Sequence, residues 1–161
     1  AMKHANRGKL RGASFENGRS LFHSIGCAAC HRFDGLGGDI GPDLTTVKNK
    51  FDERYLLESI IEPSKVISDQ YGSKIVTLKN GKTLLGLAVE NGDQVNVYPA
   101  AKTSEELKPT TVKRSEIAKI EESPVSQMPP MMMNLMNGDE VRDLIAYMLS
   151  GGDPKARIYR K

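Results

Sequence analysis

The chain has 161 residues, a formal net charge of +3 and 39% hydrophobic residues. This length suits one small domain with an insertion, or two small domains, and the core is lean. The modest charge and the lack of a basic region interleaved with aromatic residues exclude nucleic acid as an expected partner. The longest apolar stretches, such as Leu84 to Val89, are too short to span a bilayer.

The chain is predicted to begin with a flexible, solvated tail over residues 1–12, which carries several basic residues. A helix is predicted from about Ser14 to Ile25, because apolar or small residues recur there at helical spacing. Gly18 is one of them, and since it has no side chain, another helix could approach closely at that position. The spaced positions are Phe15, Gly18, Phe22 and Ile25.

Residues 27 to 31 read Cys-Ala-Ala-Cys-His, and the chain has no other cysteines. Two thiols at this spacing can add to the two vinyl groups of one porphyrin, and the next residue places an imidazole within reach of the iron. The sequence therefore predicts one covalently bound haem c, attached through Cys27 and Cys30, with His31 as the proximal iron ligand.

Two competing interpretations of this motif are weaker. A structural zinc site usually needs four Cys or His ligands, and the remaining histidines are only His4 and His23. A thioredoxin-like dithiol would begin a helix within a βαβ unit, whereas Cys30 and His31 run into a glycine-rich loop that ends at Gly37-Gly38.

The next segment contains Gly41-Pro42-Asp43-Leu44, followed by a helix predicted from about Asp52 to Glu62 and ended by Pro63. Pro42 has two interpretations that the residues leave open. Its carbonyl could accept the second ring proton of His31, since a ligating histidine normally donates that proton. Alternatively, Pro42 is an ordinary turn proline.

From Tyr71 the sequence changes to short β-rich runs separated by Asn80-Gly81 and Asn91-Gly92, which are strong hairpin signals. They predict an antiparallel meander, to which 110–112 and 117–120 add one or two strands after a charged connection at 102–108. The segment offers neither metal ligands nor a nucleophile with a base. We interpret it as structural, or as a docking surface for an unknown partner. The three runs are 75–78, 83–89 and 95–98.

Five of the seven methionines lie between positions 128 and 136. A thioether opposite histidine is a suitable second axial ligand for haem iron and raises its reduction potential. Met128 is the predicted distal ligand, because the two prolines after it stiffen the backbone. The fallback candidates are Met131, Met132 and Met133.

A last helix is predicted from Asn137 or Asp139 to Ser150, with Gly151-Gly152 as its stop. Asn137 and Glu140 have the spacing of a capping box.

The residues from Phe15 to Leu44, together with Met128-Pro129 and the run from Asp143 to Tyr147, resemble a class I cytochrome c. The resemblance implies a mainly α fold around one haem, into which the β segment is inserted as an antiparallel meander or small β-barrel. It implies thioether bonds at Cys27 and Cys30, a proximal bond from His31 oriented by the Pro42 carbonyl, and a distal bond from Met128. The predicted division is 1–12 tail, 13–70 and 123–152 cytochrome c, 71–122 inserted β subdomain, and 153–161 tail.

Further stretches resemble the haem-binding domain of planctomycetes and verrucomicrobia, a resemblance that covers about residues 12 to 160. It implies an electron-accepting domain at the end of a large exported dehydrogenase-like protein. The run Met131-Met132-Met133 departs from that family, which usually has glycine and leucine after the prolines. The stretches that carry the resemblance are 57–65, 68–71, 126–129 and 140–144.

The leading hypothesis is a monohaem electron carrier with a redox partner protein and no enzymatic reaction of its own. A second hypothesis is a haem enzyme or gas sensor with an open distal side, for which His23 is the only histidine placed to serve. A third is a module that binds a partner through the β segment. Because this haem attachment takes place outside the cytoplasm, we expect a periplasmic or otherwise exported protein. Ala1-Met2-Lys3 has no apolar export signal, so either a signal peptide has been removed or this is one domain of a longer exported protein.

Overall fold

The computed structural model describes residues 10–99 and 108–160. Most of the predicted N-terminal tail (1–9), most of the charged connection (up to 107) and Lys161 lie outside these ranges. In the described part the helices are α1 (Phe15–Ser24), α2 (Cys27–Cys30), α3 (Val47–Lys50), α4 (Glu53–Ile61) and α5 (Gly138–Ser150). The strands are β1 (Arg32–Phe33), β2 (Leu36–Gly37), β3 (Lys74–Leu78), β4 (Thr83–Asn91), β5 (Gln94–Tyr98), β6 (Thr110–Lys113) and β7 (Ile117–Glu122). Short 3-10 turns cover Arg114–Glu116, Met132–Leu135 and Arg157–Tyr159.

These elements form two compact units. The first contains the described residues of 1–62 and 130–161, and the second contains those of 63–129. All five helices described above belong to the first unit, together with the small hairpin of β1 and β2. The remaining strands belong to the second unit.

The three long helices of the first unit begin where the sequence predicts. Each has a polar side chain that accepts hydrogen bonds from the first backbone N–H groups, which have no partner within the helix. Ser14 caps α1, Asp52 caps α4, and Asn137 caps α5. In α5 the Glu140 side chain also accepts from the Asn137 N–H at 2.8 Å, so the predicted capping box is confirmed.

Helices α1 and α5 cross at Gly18. A Cβ atom at this position would overlap the backbone carbonyl of Asp143 and lie 2.8 Å from Cβ of Tyr147. The close approach predicted for Gly18 is therefore confirmed, and only glycine fits there without moving a helix. Aromatic rings surround the crossing, with Phe22 and Phe33 both against Tyr147 at centroid distances of 5.8 and 4.9 Å.

Around this crossing lies the core of the first unit. Its buried side chains come from the three long helices, from β1 and α3, and from the segment before α1. Cys27, Ala28 and Leu44 pack against it, so the segment with the two cysteines rests on the helical core. The buried core residues are Leu10, Phe22, Phe33, Val47, Leu56, Leu144, Ile145, Tyr147 and Met148.

The second unit is a five-stranded antiparallel sheet with the order β6-β5-β4-β3-β7. The first four strands form the predicted meander, and both Gly81 and Gly92 in its turns have a positive φ. The last strand does not continue the meander but returns to pair with β3, with Val76 opposite Ile120. The buried face is formed by Val76, Leu78, Val95, Val97 and Val112.

The predicted fold class, mainly α, is wrong. The described residues are 35% helical and 23% strand, and the five-stranded sheet is a substantial part of the fold. The β segment was expected to be an insertion into a helical fold. Its alternating apolar runs instead pair into five strands that form a compact unit of their own.

Candidate haem-binding site

The two cysteines lie at the ends of the single helical turn α2, which follows Gly26 in the left-handed region (φ 92°). Both thiols are free and half-buried. The turn ends at His31, whose backbone is extended and whose N–H donates to the Cys27 carbonyl at 2.9 Å. Cys27, Cys30 and His31 are thereby held together by one short, hydrogen-bonded segment.

The imidazole of His31 is fixed by a hydrogen bond between its Nδ1 atom and the carbonyl oxygen of Pro42, at 2.7 Å. A carbonyl oxygen only accepts, so Nδ1 carries a proton, and in the neutral ring the lone pair then lies on Nε2. Of the two interpretations of Pro42 that the sequence left open, the structure has the one in which its carbonyl orients His31. A neutral imidazole with this tautomer is the form that binds haem iron.

Gly41 lets the imidazole pack directly against the backbone. A Cβ atom on Gly41 would lie 2.7 Å from Cε1 and 2.8 Å from Nδ1 of His31, closer than van der Waals contact allows. Sequence reasoning missed this role. The available signal was a glycine beside the proline whose carbonyl was expected to meet the histidine.

Backbone hydrogen bonds wrap the following loop around the cysteine segment. Gly38 N–H donates to the Ala28 carbonyl at 3.0 Å, and Gly41 N–H donates to the Cys30 carbonyl at 2.8 Å. Leu44 N–H in turn donates to the carbonyl of Arg32 at 2.9 Å. Pro42 has no N–H of its own to donate, but it lies between two positions, Gly41 and Leu44, that these hydrogen bonds hold.

Burial sets the protonation of all three candidate residues. It lowers the pKa of His31, with the Pro42 hydrogen bond acting in the opposite direction, and this favours the neutral imidazole. Burial also raises the pKa of the Cys27 thiol to about 11 and raises the pKa of Cys30. The attacking thiol of a thioredoxin-like pair has a lowered pKa, so the dithiol interpretation is not favoured.

The described residues give little support for a zinc site or for a haem with an open distal side. Within 10–99 and 108–160, no group of three or more His, Cys, Asp or Glu side chains is placed to hold a metal ion. His23, considered for an open distal side, is exposed on α1, and its ring is 5.8 Å from that of Phe22. His4 lies outside the described residues.

The methionines divide between the two units. Met128 belongs to the second unit and is half-buried, with its N–H donating to the Ser126 hydroxyl at 3.1 Å. Met131 belongs to the first unit, is 67% exposed and has a positive φ of 64°. Met132 is half-buried, and Met133 packs against the helical core of the first unit. The assignment of Met128 as distal ligand stays a prediction from the sequence.

The donor set of the first unit fits a covalent haem c. The thiols of Cys27 and Cys30 would form the two thioether bonds, and Nε2 of His31 would bind the iron. The fit does not depend on the spacing alone, since the thiols are unlinked and the imidazole already has the tautomer that leaves Nε2 free.

Residues 15–84 match the family model for cytochrome c. The match covers fewer than half of the 161 residues, and it includes the two cysteines, His31 and Pro42 but neither Met128 nor α5. No curated protein matches the chain.

The cytochrome c match supports a c-type cytochrome domain that binds haem and transfers electrons, and the family implies that haem c is bound covalently. A carrier of this kind needs a redox partner. Across residues 10–99 and 108–160, every helix is too short or too polar to cross a membrane.

Proposed function

We propose that this protein is a monohaem c-type cytochrome that carries single electrons. The observation that carries the proposal is the hydrogen bond of 2.7 Å from His31 Nδ1 to the Pro42 carbonyl. His31 directly follows a segment with two unlinked thiols, Cys27 and Cys30. Haem supplies the one-electron chemistry when it is bound. The chain attaches it through Cys27 and Cys30 and orients the imidazole.

The two thiols and the imidazole require no bond-making reaction other than the attachment of the haem. The loop over 37–44 is fastened to the cysteine segment by backbone hydrogen bonds, and Gly41 packs against the imidazole. A rigid ligand set lowers the rearrangement that accompanies a change of oxidation state. We therefore expect fast, reversible electron transfer without a bound substrate.

The second axial ligand in this proposal is Met128, supported by the sequence Met128-Pro129-Pro130 and by the resemblance to class I cytochromes c. Met132 and Met133 are the competing candidates in the first unit, where both are half-buried. Met131 is less suitable, because its side chain is largely exposed.

The donor of electrons in this proposal is an exported dehydrogenase, and the protein works in the periplasm or elsewhere outside the cytoplasm. Two arguments support this. Haem c is attached outside the cytoplasm, and the runs 57–65, 126–129 and 140–144 resemble the planctomycete and verrucomicrobial domain found with dehydrogenase-like proteins. The family model identifies cytochrome c but no dehydrogenase, so the proposed electron donor is supported only by that resemblance.

The test is a comparison of oxidised and reduced optical spectra for protein made in a host that matures haem c. We expect a low-spin spectrum in the wild type, and loss of the methionine–iron charge-transfer band in Met128→Ala but not in Met133→Ala. Loss of the band only in Met133→Ala would move the ligand to the first unit. A high-spin wild type that binds carbon monoxide or peroxide readily would replace the electron carrier with an open-site enzyme or sensor.

A further inference from the structure

Two polar side chains fasten the backbone just after Pro42. Thr45 N–H donates to Oδ1 of Asp43 at 2.8 Å, which closes a tight Asx turn directly after the proline. The hydroxyl oxygen of Thr45 accepts the N–H of Asp34 at 3.0 Å. Asp34 lies at the tip of the β1–β2 hairpin, so Thr45 ties the Pro42 loop to that hairpin.

The Thr45 hydroxyl group accepts one hydrogen bond and donates another, to Asp43. Because the Thr45 oxygen accepts from Asp34, its own proton is available to the Asp43 carboxylate. That hydroxyl hydrogen bond, together with the one from Thr45 N–H, lowers the pKa of Asp43. The result is a chain from the Asp34 N–H through the Thr45 hydroxyl to an ionised carboxylate, and each hydrogen bond in such a chain polarises the next.

This series of hydrogen bonds acts on the Pro42 carbonyl oxygen, the atom that orients His31. The Pro42 carbonyl lies between Gly41, fixed by its bond to Cys30, and Leu44, fixed by its bond to Arg32. Asp43 and Thr45 restrict the rotation of the peptide plane between these two points. A small tilt of that plane would lengthen or bend the hydrogen bond of 2.7 Å from His31 Nδ1.

We propose that Asp43 and Thr45 are positioning residues for His31, which set the strength of its Nδ1 hydrogen bond and through it the reduction potential of the haem. The inference rests on the proposed function. A strong acceptor at Nδ1 makes the imidazole a better electron donor to iron, which favours the ferric form and lowers the potential. Weakening the loop therefore raises the potential.

The main test variant is Thr45→Val, which keeps the shape of the side chain but removes the hydroxyl group. Thr45→Ser restores the hydroxyl and serves as the rescue. Thr46→Val is the matched control, because Thr46 is an exposed neighbour whose side chain does not cap α3. Two quantities are measured on the haem-loaded protein: exchange of the His31 Nδ1 proton with solvent by NMR in the reduced state, and the midpoint potential.

We expect Thr45→Val to exchange the Nδ1 proton roughly fivefold faster than the wild type, the factor that corresponds to one lost net hydrogen bond. Its midpoint potential should be higher, while Thr45→Ser and Thr46→Val stay close to the wild type. Asp43→Asn keeps an acceptor for Thr45 N–H but removes the charge, so it should move both quantities in the same direction by a smaller amount.

The outcomes separate this inference from the proposed function. A wild type without covalent haem, or without a reversible one-electron couple, overturns both. A normal wild type with unchanged exchange and potential in Thr45→Val overturns the inference alone, even where that variant melts at a lower temperature. If Thr45→Val does not fold, Asp43→Asn decides, and wild-type values for both quantities in that variant overturn the inference.

Discussion

His31 donates its Nδ1 proton to the carbonyl oxygen of Pro42 at 2.7 Å, and this contact joins two segments that are eleven positions apart. It fixes the tautomer and the ring orientation before any iron is bound. The lone pair of Nε2 is left for a metal, one residue after Cys30, whose thiol pKa is raised by burial. The geometry of the site is therefore set by the protein chain.

Replacing Gly41 by alanine should disturb the imidazole directly. The new Cβ would lie 2.7 Å from His31 Cε1, so the ring or the loop must move. We expect a loss of about 1–3 kcal/mol in the free energy of unfolding of the haem-loaded protein, as for other overpacked sites. Urea unfolding measures it. Gly138→Ala is the control, because nothing lies within 4 Å of its Cβ position, and equal stability of the two variants would contradict the account.

Gly18→Ala tests the crossing of α1 and α5. Its Cβ would overlap backbone atoms of Asp143, which cannot rotate away as a flexible side chain could. We expect the variant to lose about 3 kcal/mol or more, at the upper end of overpacking costs, in guanidinium unfolding followed by helical circular dichroism. Near-UV signals from the aromatic cluster should weaken as well. A variant as stable as the wild type would show that the helices do not meet at this residue.

The positions of the long helices could be predicted from the sequence, whereas the order of the strands in the sheet was left open. The bounds of α1, α4 and α5 follow from apolar spacing and from local capping residues such as Ser14 and Asp52, so a window of a few residues contains the information. The return of β7 to β3 joins positions about forty residues apart, and no local signal encodes it. The mainly α prediction was wrong because the β segment, whose strands were predicted close to their observed positions, was treated as an insertion rather than as a second unit.

The candidate site shows the same division. The Cys-Ala-Ala-Cys-His motif is contiguous, so its chemistry can be predicted from the residues alone. The hydrogen bond from His31 to Pro42 was one of two open interpretations. The ties from Asp34 to Thr45 and from Thr45 to Asp43 were missed, because they depend on how two loops fold back on each other.

Asp143 should prove to be a major anchor of α1. It is 4% exposed on α5, and its two carboxylate oxygens accept from Ser14 N–H at 2.9 Å and from Asn17 Nδ2 at 2.7 Å. Asp143→Ala should cost about 2–3 kcal/mol, since it leaves partly buried donors without an acceptor. A double-mutant cycle with Asn17→Ala should give a coupling free energy of about 1 kcal/mol. A coupling near zero would mean that the Asn17 contact does not form in solution.

Met131→Gly should stabilise the protein. Met131 has a φ of 64°, a left-handed backbone that costs an L-residue about 1–2 kcal/mol, and its side chain is largely exposed. Glycine removes this cost but adds flexibility to the unfolded chain, so we expect a net gain of about 0.5 kcal/mol. Thermal unfolding measures the gain. Met132→Gly, in the following 3-10 turn, should destabilise the protein, and the opposite order of the two variants would contradict the assigned backbone.

Cys27 and Cys30 should attach one haem. The decisive measurement is the intact mass of the denatured protein after expression with haem c maturation, compared with Cys27→Ala, Cys30→Ala and the double variant. We expect the wild type to keep the mass of one haem through denaturation and the double variant to carry none. A wild type that loses all haem on denaturation, or whose two cysteines form a disulfide instead, would contradict it.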